Sequence, residues 1–202
     1  MAPRPDVTAE RTEQIIDAAI AVFNRLGFHK ARMDDIAREA GVSKGTLYWY
    51  FESKDAITKA LLQHLFDEEV RQVETLLTAE GSAGERLLAI SGHLADEFER
   101  WSKLMAVVYE FYATAIRDPE VQRTLAGFFQ TYRKPLAALI QQGIQNGEFR
   151  RLDVDAAATA IAAAFEGLAL LWTIDPRTVR WREVSSLTMR LLLAGMRADG
   201  KE

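Results

Sequence analysis

The sequence predicts an all-α fold: an N-terminal three-helix head that carries a helix-turn-helix, followed by a C-terminal helical bundle, with about nine helices in total. Apolar residues recur at three- and four-residue steps along most of the 202 residues, which is the period of amphipathic helices. No alternating stretch is long enough to indicate a strand. A glycine turn at Gly41 separates two short helical segments. We therefore expect a head over residues 1–53 and a body over 54–202.

Composition excludes several classes of protein. Hydrophobic residues make up 49% of the chain and charged residues 27%, which is typical of a globular domain and not of a disordered one. Cysteine is absent, so disulfides and thiolate metal sites are excluded, and we expect no metal and no cofactor. The first residues lack the apolar core of a secretory signal, which favours a cytoplasmic protein with no membrane partner.

The first predicted helix begins near Thr8 and ends at Gly27, which supplies a left-handed stop. We expect this helix to support packing and to make no base contact. Its apolar positions keep helical spacing: Ile15, Ala19, Val22, Phe23 and Leu26.

The second predicted helix runs from about Met33 to Ala40. Asp34 and Asp35 lie in its first turn, where the helix dipole favours negative charge. Arg32 stands directly before it, and its length and charge allow either a phosphate contact or a solvated side chain. Both interpretations of Arg32 stay open at this point.

The third predicted helix has the pattern of a reading helix that lies on DNA. Ser43 can cap its free backbone amides, and Lys44 and Thr46 can reach base edges. Gly45 has no side chain, so the backbone can approach the groove closely.

Aromatic residues fill the rest of this helix. We expect Leu47 and Phe51 to point inward, and Tyr48 and Tyr50 to offer hydroxyl groups to phosphate oxygens. Trp49 either borders the groove or packs on the first helix, and the sequence does not choose between these positions.

The segment resembles the operator-binding segment of the TetR family of bacterial transcriptional regulators. The similarity rests on Ala-Gly-Val-Ser-Lys-Gly-Thr-Leu-Tyr at 40–48, followed by Phe51 and Ser-Lys-Asp at 53–55, and it runs without a gap from Ile15 to about Ile57. It implies an all-helical dimer with a DNA-binding head and a variable body that senses a small molecule. It covers the first quarter of the chain well and the rest only in layout.

Two positions depart from the family pattern. The entry to the second helix usually carries Thr or Ser, whereas this chain has Ala31 and Arg32, so a hydroxyl cap is lost. Histidine is more common where Tyr50 stands, and because tyrosine cannot be protonated there, we expect no pH-dependent contact at that position.

A long helix over residues 54–77 should connect the head with the body. Ser53 can cap it, while Lys54 lies in its first turn, where a cation is unfavourable unless a phosphate is near. This conflict predicts a DNA contact for Lys54. Further helices are predicted near 84–101, 103–116, 119–145, 155–174 and 181–197.

Aromatic residues are dense between Phe98 and Tyr132, which suits an apolar ligand pocket. Aromatic residues at helical spacing are also the usual content of a packed core, and both interpretations remain. The candidate ligand residues are His93, Trp101, Met105, Tyr109, Tyr112, Phe128, Phe129, Tyr132, Phe165 and Glu166. Glu166 lies in an otherwise apolar helix and can hold a cationic ligand, accept a tyrosine hydrogen bond, or lie at a subunit interface.

The last two predicted helices are candidates for a homodimer interface, as in the family, with packing inside one chain as the alternative. Small residues in 155–174 allow close approach of another helix: Ala156, Ala160, Ala163, Ala164 and Gly167. The partner positions in 181–197 are Val184, Leu187, Leu191, Leu192 and Met196.

The sequence favours a regulator that binds operator DNA, and most of all a repressor released by a small, largely apolar or aromatic ligand. A net charge of −4 for the chain argues against a generic nucleic-acid binder. In residues 1–56, eight Lys and Arg against nine Asp and Glu leave −1. A DNA-binding protein without a sensor is the main alternative. We expect no catalytic residues, because the histidines are scattered and no nucleophile elbow or phosphate loop is present.

Overall fold

The computed structural model describes residues 7–198, and within them the chain forms nine α-helices. They are α1 (Val7–Leu26), α2 (Met33–Glu39), α3 (Lys44–Tyr50), α4 (Lys54–Leu77), α5 (Ala83–Ser102), α6 (Met105–Ala115), α7 (Pro119–Gln145), α8 (Val154–Ile174) and α9 (Trp181–Met196). The described side chains exclude those of residues 7, 65–69, 72, 73, 77 and 99–101. No β-strand occurs over this range, so the all-α prediction is confirmed.

The helices belong to two compact units. Unit 1 comprises Met1–Leu65 and Ala106–Thr124, and unit 2 comprises Phe66–Met105 and Leu125–Glu202. Unit 1 therefore contains most of α6 together with the head. The boundary expected between residues 53 and 54 stays a prediction, because a compact unit and a functional domain need not end at the same residue.

Two glycines with positive φ shape the head of unit 1. Gly27 (φ 77°) ends α1, and Gly41 (φ 63°) makes the turn between α2 and α3, in a backbone region that residues with a Cβ rarely adopt. The Gln14 side chain donates a 2.7 Å hydrogen bond to the Ala40 carbonyl and so ties α1 to this turn. The core of the head is apolar and buried: Ile15, Ala19, Val22, Phe23, Ile36, Ala37, Ala40, Leu47 and Phe51.

Unit 2 is built around one apolar cluster. Its buried members include Leu87, Ile90, Leu136, Leu139, Ile140, Phe149, Ile161, Phe165, Met189, Leu193 and Met196. Helix α7 continues as one helix through Pro135, which is buried. The N-terminus of α5 is held by Glu148, whose carboxylate accepts hydrogen bonds from the backbone N–H groups of Ala83 (3.0 Å) and Gly84 (3.2 Å).

Helices α8 and α9 expose a large apolar face. Leu171, Ile174, Leu187 and Leu191 are each at least half exposed. Helix α8 is the one described helix that is long and apolar enough to cross a membrane, and 22% of its most apolar 18-residue window is buried. Length and composition alone are weak evidence for a span, because core helices of soluble proteins share them. Within one chain, five of the 21 residues of α8 are buried.

The prediction that Met196 lies at the dimer interface is wrong. Met196 is 7% exposed and belongs to the core cluster of unit 2, and Leu192 also packs partly against that cluster. Helix α9 has two apolar stripes, one that packs in the core of unit 2 and one that is exposed, and Met196 lies on the stripe in the core. Leu187 and Leu191 lie on the exposed stripe.

Candidate functional site

Helix α3 turns one side to the core of the head and the other to solvent. Leu47 is fully buried, whereas Tyr48 is 45% exposed and Trp49 is 73% exposed. Ser43, Lys44 and Gly45 are exposed as well, and Thr46 and Tyr50 are half-buried. The predicted DNA-binding residues on this helix therefore share an accessible surface, and the predicted inward positions of Leu47 and Phe51 are confirmed.

Ser43 starts α3 as predicted. Its hydroxyl oxygen accepts a hydrogen bond from the Thr46 backbone N–H at 3.0 Å, and the two side-chain hydroxyls lie 2.8 Å apart. A cap of this kind stabilises a short helix by about 0.5–2 kcal/mol. The contact between the hydroxyls holds the Thr46 side chain beside Ser43.

Lys44 is paired with an acid from the preceding helix. Its Nζ lies 2.7 Å from Oδ1 of Asp34 and 6.0 Å from the centre of the Tyr48 ring. The hydrogen bond to Asp34, and then the negative charge of Asp34, raise the pKa of Lys44 above its ordinary value. The ammonium is thus a cation at the surface of α3, paired with an acid for which the sequence predicted only a favourable place at the start of α2.

The position of Trp49 is no longer ambiguous. Its ring meets the Tyr50 ring edge-on, with centroids 4.6 Å apart, and most of its surface is open to solvent. Packing of Trp49 on the first helix is therefore excluded for this chain. The indole and the Tyr50 ring form an exposed aromatic pair at the C-terminal end of α3.

Lys54 has protein partners that remove the argument for its DNA contact. Its ammonium donates hydrogen bonds to the carbonyl oxygens of Phe28 and Ala31, at 3.2 Å for Ala31, and lies 4.2 Å from the centre of the Phe28 ring. The expected conflict with the helix dipole is relieved by these carbonyls instead of by a phosphate. Lys54 ties α4 to the turn between α1 and α2.

Arg32 is exposed and occupies the N-cap position of α2. A guanidinium has no accepting atom, and it is the Asp35 carboxylate that accepts a hydrogen bond from the Arg32 backbone N–H at 3.2 Å. The side chain of Arg32 is therefore not used in capping. A phosphate contact for Arg32 stays a prediction.

The predicted ligand residues are divided between the two units. Tyr109 and Tyr112 belong to unit 1, where their rings meet edge-on with centroids 5.7 Å apart. Unit 2 contains the others: His93, Trp101, Met105, Phe128, Phe129, Tyr132, Phe165 and Glu166. The Trp101 side chain lies outside the described ones. Phe128 and Phe165 are buried, whereas Met105, Phe129, Tyr132 and Glu166 are half-buried.

Unit 2 has two described side chains with an unsatisfied buried nitrogen: Trp181 at Nε1 and, among the predicted ligand residues, His93. Its Nε2 atom is buried and makes no hydrogen bond to any described residue, which costs free energy unless water or a ligand completes the bond. A separate open cleft of about 520 Å³ lies along α9 and is lined by Arg180, Arg182, Glu183, Val184, Ser186, Leu187 and Arg190. None of the predicted ligand residues lines this cleft, so it gives no support to them.

Sequence reasoning missed an aromatic cluster in unit 2. Phe98 stacks on Trp181 with ring centres 3.6 Å apart and planes 15° apart, and it meets Trp172 edge-on at 4.9 Å. By sequence, Phe98 groups with the aromatic residues up to Tyr132. No local spacing rule relates Phe98 to helices α8 and α9, so the sequence carried no signal for this cluster.

No cluster of acids and histidines in the described part of the chain has the arrangement of a metal site. One acid–histidine pair does occur in unit 1, where His29 Nε2 lies 3.3 Å from Oε1 of Glu110. It joins the turn after α1 to α6 and was not predicted.

Two sequence families match the chain. Residues 15–61 match the family described as bacterial regulatory proteins, tetR family. Residues 83–196 match the family described as BetI-type transcriptional repressor, C-terminal. The second match alone spans more than half of the chain.

Curated relatives match over nearly the whole length. A fatty acid metabolism regulator protein of Bacillus subtilis is 28% identical over 188 residues, covering 91% of this chain and 94% of the relative. The HTH-type transcriptional regulator BetI of Escherichia coli is 28% identical over 199 residues, covering 98% of this chain and all of the relative. Both relatives are named as regulators.

Solved structures share the fold. The transcriptional regulator FadR from Bacillus subtilis, in complex with stearoyl-CoA, has a TM-score of 0.76 at 24% identity. The alignment covers 92% of this chain and 99% of the FadR chain. A putative transcriptional regulator from Saccharomonospora viridis, in complex with choline, has a TM-score of 0.79 at 22% identity. The alignment covers 92% of this chain and 96% of the other chain. At these identities the likeness shows the fold alone.

Proposed function

Because the chain belongs to the TetR family of bacterial regulatory proteins, we propose that this transcriptional regulator is a homodimeric repressor, released from its operator by a small, largely apolar or aromatic ligand. In this proposal, residues 1–53 bind double-stranded DNA. Residues 54–202 bind the ligand and form the dimer, and the protein works in the cytoplasm.

The DNA-binding part of the proposal rests on one observation: one side of α3 is buried in the head and the other is exposed. Leu47 anchors the helix in the core of the head, which leaves Lys44, Tyr48 and Trp49 accessible. Lysine can donate to the guanine acceptors in the major groove, and tyrosine hydroxyls can donate to phosphate oxygens. The helix therefore presents both kinds of contact that sequence-specific binding needs.

The exposed apolar face of α8 and α9 supports the homodimer. Leu171, Ile174, Leu187 and Leu191 leave a large apolar area open in one chain, and such areas usually mark an interface. Small residues on α8, including Ala160 and Gly167, are exposed and leave room for a second helix. A homodimer carries two reading helices, and operator half-sites about 34–36 Å apart call for two of them on one duplex.

The ligand part has two kinds of support. Buried Nε2 of His93 in unit 2 has no described partner, which suits a ligand with one polar group and an otherwise apolar surface. Among proteins of the same fold, one binds stearoyl-CoA and another binds choline. The long acyl chain of the first agrees with an apolar ligand, and the cation of the second agrees with a role for Glu166 or its neighbours.

Fluorescence anisotropy tests the proposal. The labelled DNA is the fragment directly upstream of the gene for this protein, and unlabelled random DNA is the competitor. We expect saturable binding that random DNA displaces poorly, and release of the DNA by either stearoyl-CoA or choline chloride. No preference for the upstream fragment would contradict the operator part, and release by neither probe would favour a DNA-binding protein without this class of sensor.

A further inference from the structure

We propose that Asp34 is a specificity-determining residue, because it positions the Lys44 ammonium for contact with a base edge and withholds it from the phosphate backbone. This inference rests on the proposed binding of operator DNA. It assigns a function to an acid on a surface where a nucleic-acid-binding protein ordinarily gains affinity from positive charge.

The geometry places Asp34 where it controls one cation of the reading helix. Asp34 lies in the first turn of α2, and Lys44 is the first residue of α3. Their carboxylate and ammonium are 2.7 Å apart. Because the Gly41 turn joins the two helices and the core of the head fixes them, the pair links two rigid elements and does not depend on a flexible loop.

The direction of the lysine side chain follows from this pair together with the Tyr48 ring. The Lys44 ammonium lies 6.0 Å from the centre of that ring, a distance at which a cation is still attracted to an aromatic face. Asp34 and Tyr48 therefore hold the ammonium over the surface of α3. A free lysine would instead sample many rotamers, and most of them would not face a base.

An ammonium has three N–H donors. When Asp34 accepts one of them, two remain for the O6 and N7 acceptors of a guanine, so a base contact can form without breaking the pair. A contact with an irregularly placed phosphate requires the ammonium to leave Asp34. Such a contact also brings the Asp34 carboxylate towards the negatively charged phosphates of the DNA. The Asp34–Lys44 pair therefore reduces binding free energy little at the operator, and more on random DNA.

The other ion pairs in the head do not have this arrangement. Arg25 pairs with Glu39 at 2.7 Å, and Arg38 pairs with Asp35 at 3.3 Å. Neither pair includes a residue of α3. Of the described ion pairs in the head, the one between Lys44 and Asp34 is therefore the one that joins an acid to the reading helix.

The experiment compares dissociation constants for the upstream fragment and for random DNA of equal length over a series of salt concentrations. For Asp34→Asn we expect random DNA to bind about three- to tenfold more tightly, because two subunits each release a surface cation. Binding to the upstream fragment should stay within about twofold of wild type or weaken. The slope of log K against log salt for random DNA should steepen by about 0.9 for each subunit.

Two controls separate this effect from a general change in charge. Glu39→Gln removes the same charge from the ion pair with Arg25 and should leave the ratio of the two affinities unchanged. In a Lys44→Ala background, Asp34→Asn should no longer change that ratio, because the ammonium that it releases is absent. Circular dichroism of each variant confirms that the helices are retained.

The outcomes distinguish this inference from the proposed function. If the wild-type protein shows no preference for the upstream fragment, the proposed function fails. If the wild-type protein has that preference but Asp34→Asn strengthens binding to both DNAs equally, or changes neither, the inference about Asp34 is overturned while the proposed function stands. An equal effect of Glu39→Gln on the ratio would also overturn it.

Discussion

The ammonium of Lys44 and the carboxylate of Asp34 are 2.7 Å apart, so the reading helix of the head meets the helix before it through one exposed ion pair. The head has a slightly negative balance of charged residues. Affinity for DNA must then come from a few placed contacts and not from a broad positive field.

Lys44→Ala should weaken binding to the upstream fragment by about tenfold or more, because a good base contact contributes about 1–3 kcal/mol. Binding to random DNA should change little, since Asp34 keeps the lysine from phosphates. Anisotropy titrations measure both values. Lys134→Ala removes an exposed lysine from α7 and serves as the control. Equal losses for the two DNAs would show that Lys44 acts as a general phosphate contact.

Replacing Leu187 and Leu191 together with glutamate should convert the dimer into monomers. Both side chains lie on the exposed apolar face of α9, and the buried face of a dimer does not tolerate unpaired charges. Sedimentation velocity measures the change, and operator binding should fall with it. Ile116→Glu is the matched control, since Ile116 is 83% exposed but lies beyond the end of α6. A double variant that remains dimeric would place the interface elsewhere.

Gly143→Ala should destabilise the fold, whereas Gly127→Ala in the same helix should not. A Cβ at position 143 would lie 2.3 Å from Cδ2 of Phe149, but one at position 127 would meet no atom within 4 Å. Overpacking of this kind costs about 1–3 kcal/mol, while alanine for an exposed helical glycine adds about 0.5–1 kcal/mol of stability. Urea unfolding at fixed protein concentration measures both, and equal stability of the two variants would contradict this packing.

Glu85→Gln should remove a pH-dependent contribution to stability. The Ser82 backbone N–H donates a 2.9 Å hydrogen bond to Oε2 of Glu85, and this bond, then the Ser82 hydroxyl, lowers the pKa of Glu85 from 4.5. The contribution of a carboxyl with a lowered pKa is present above the unfolded pKa and is lost as the pH falls through the folded pKa.

Thermal unfolding measures this contribution. The wild-type protein should have a higher Tm than Glu85→Gln at about pH 7, and the difference should shrink as the pH falls below the ordinary glutamate pKa and vanish once Glu85 is protonated in the folded protein. Glu80→Gln changes an exposed acid in the same loop and should show no such trend. A difference in Tm that is constant with pH would mean that Glu85 acts through packing and not through its charge.

The helices of this chain are readable from its sequence because their ends carry local signals. The Gly27 stop, the Ser43 cap and the apolar period of residues 54–77 predict α1, α3 and α4 to within a residue or two. Helix α7 was predicted with its observed bounds. These signals are local, either one residue at a helix end or a period along a single helix, so no tertiary contact is needed to interpret them.

The partners of the site residues are not readable in the same way. The helix dipole predicts a phosphate partner for Lys54, but its ammonium donates to two backbone carbonyls of the turn after α1. Phe98 lies in a stretch rich in aromatic residues, yet its ring packs against Trp172 and Trp181. Contacts of this kind depend on how distant helices pack, and neither residue spacing nor composition specifies that packing.

Hydroxyl-radical footprinting on the fragment upstream of the gene tests the central claim most directly. The account predicts two protected patches whose centres are about 10–10.5 base pairs apart, or a multiple of that, because two copies of α3 enter major grooves on one face of the duplex. Protection should be lost with Lys44→Ala and with the paired Leu187 and Leu191 variant. A single patch, or a footprint that survives both changes, would contradict the claim that paired reading helices recognise the operator.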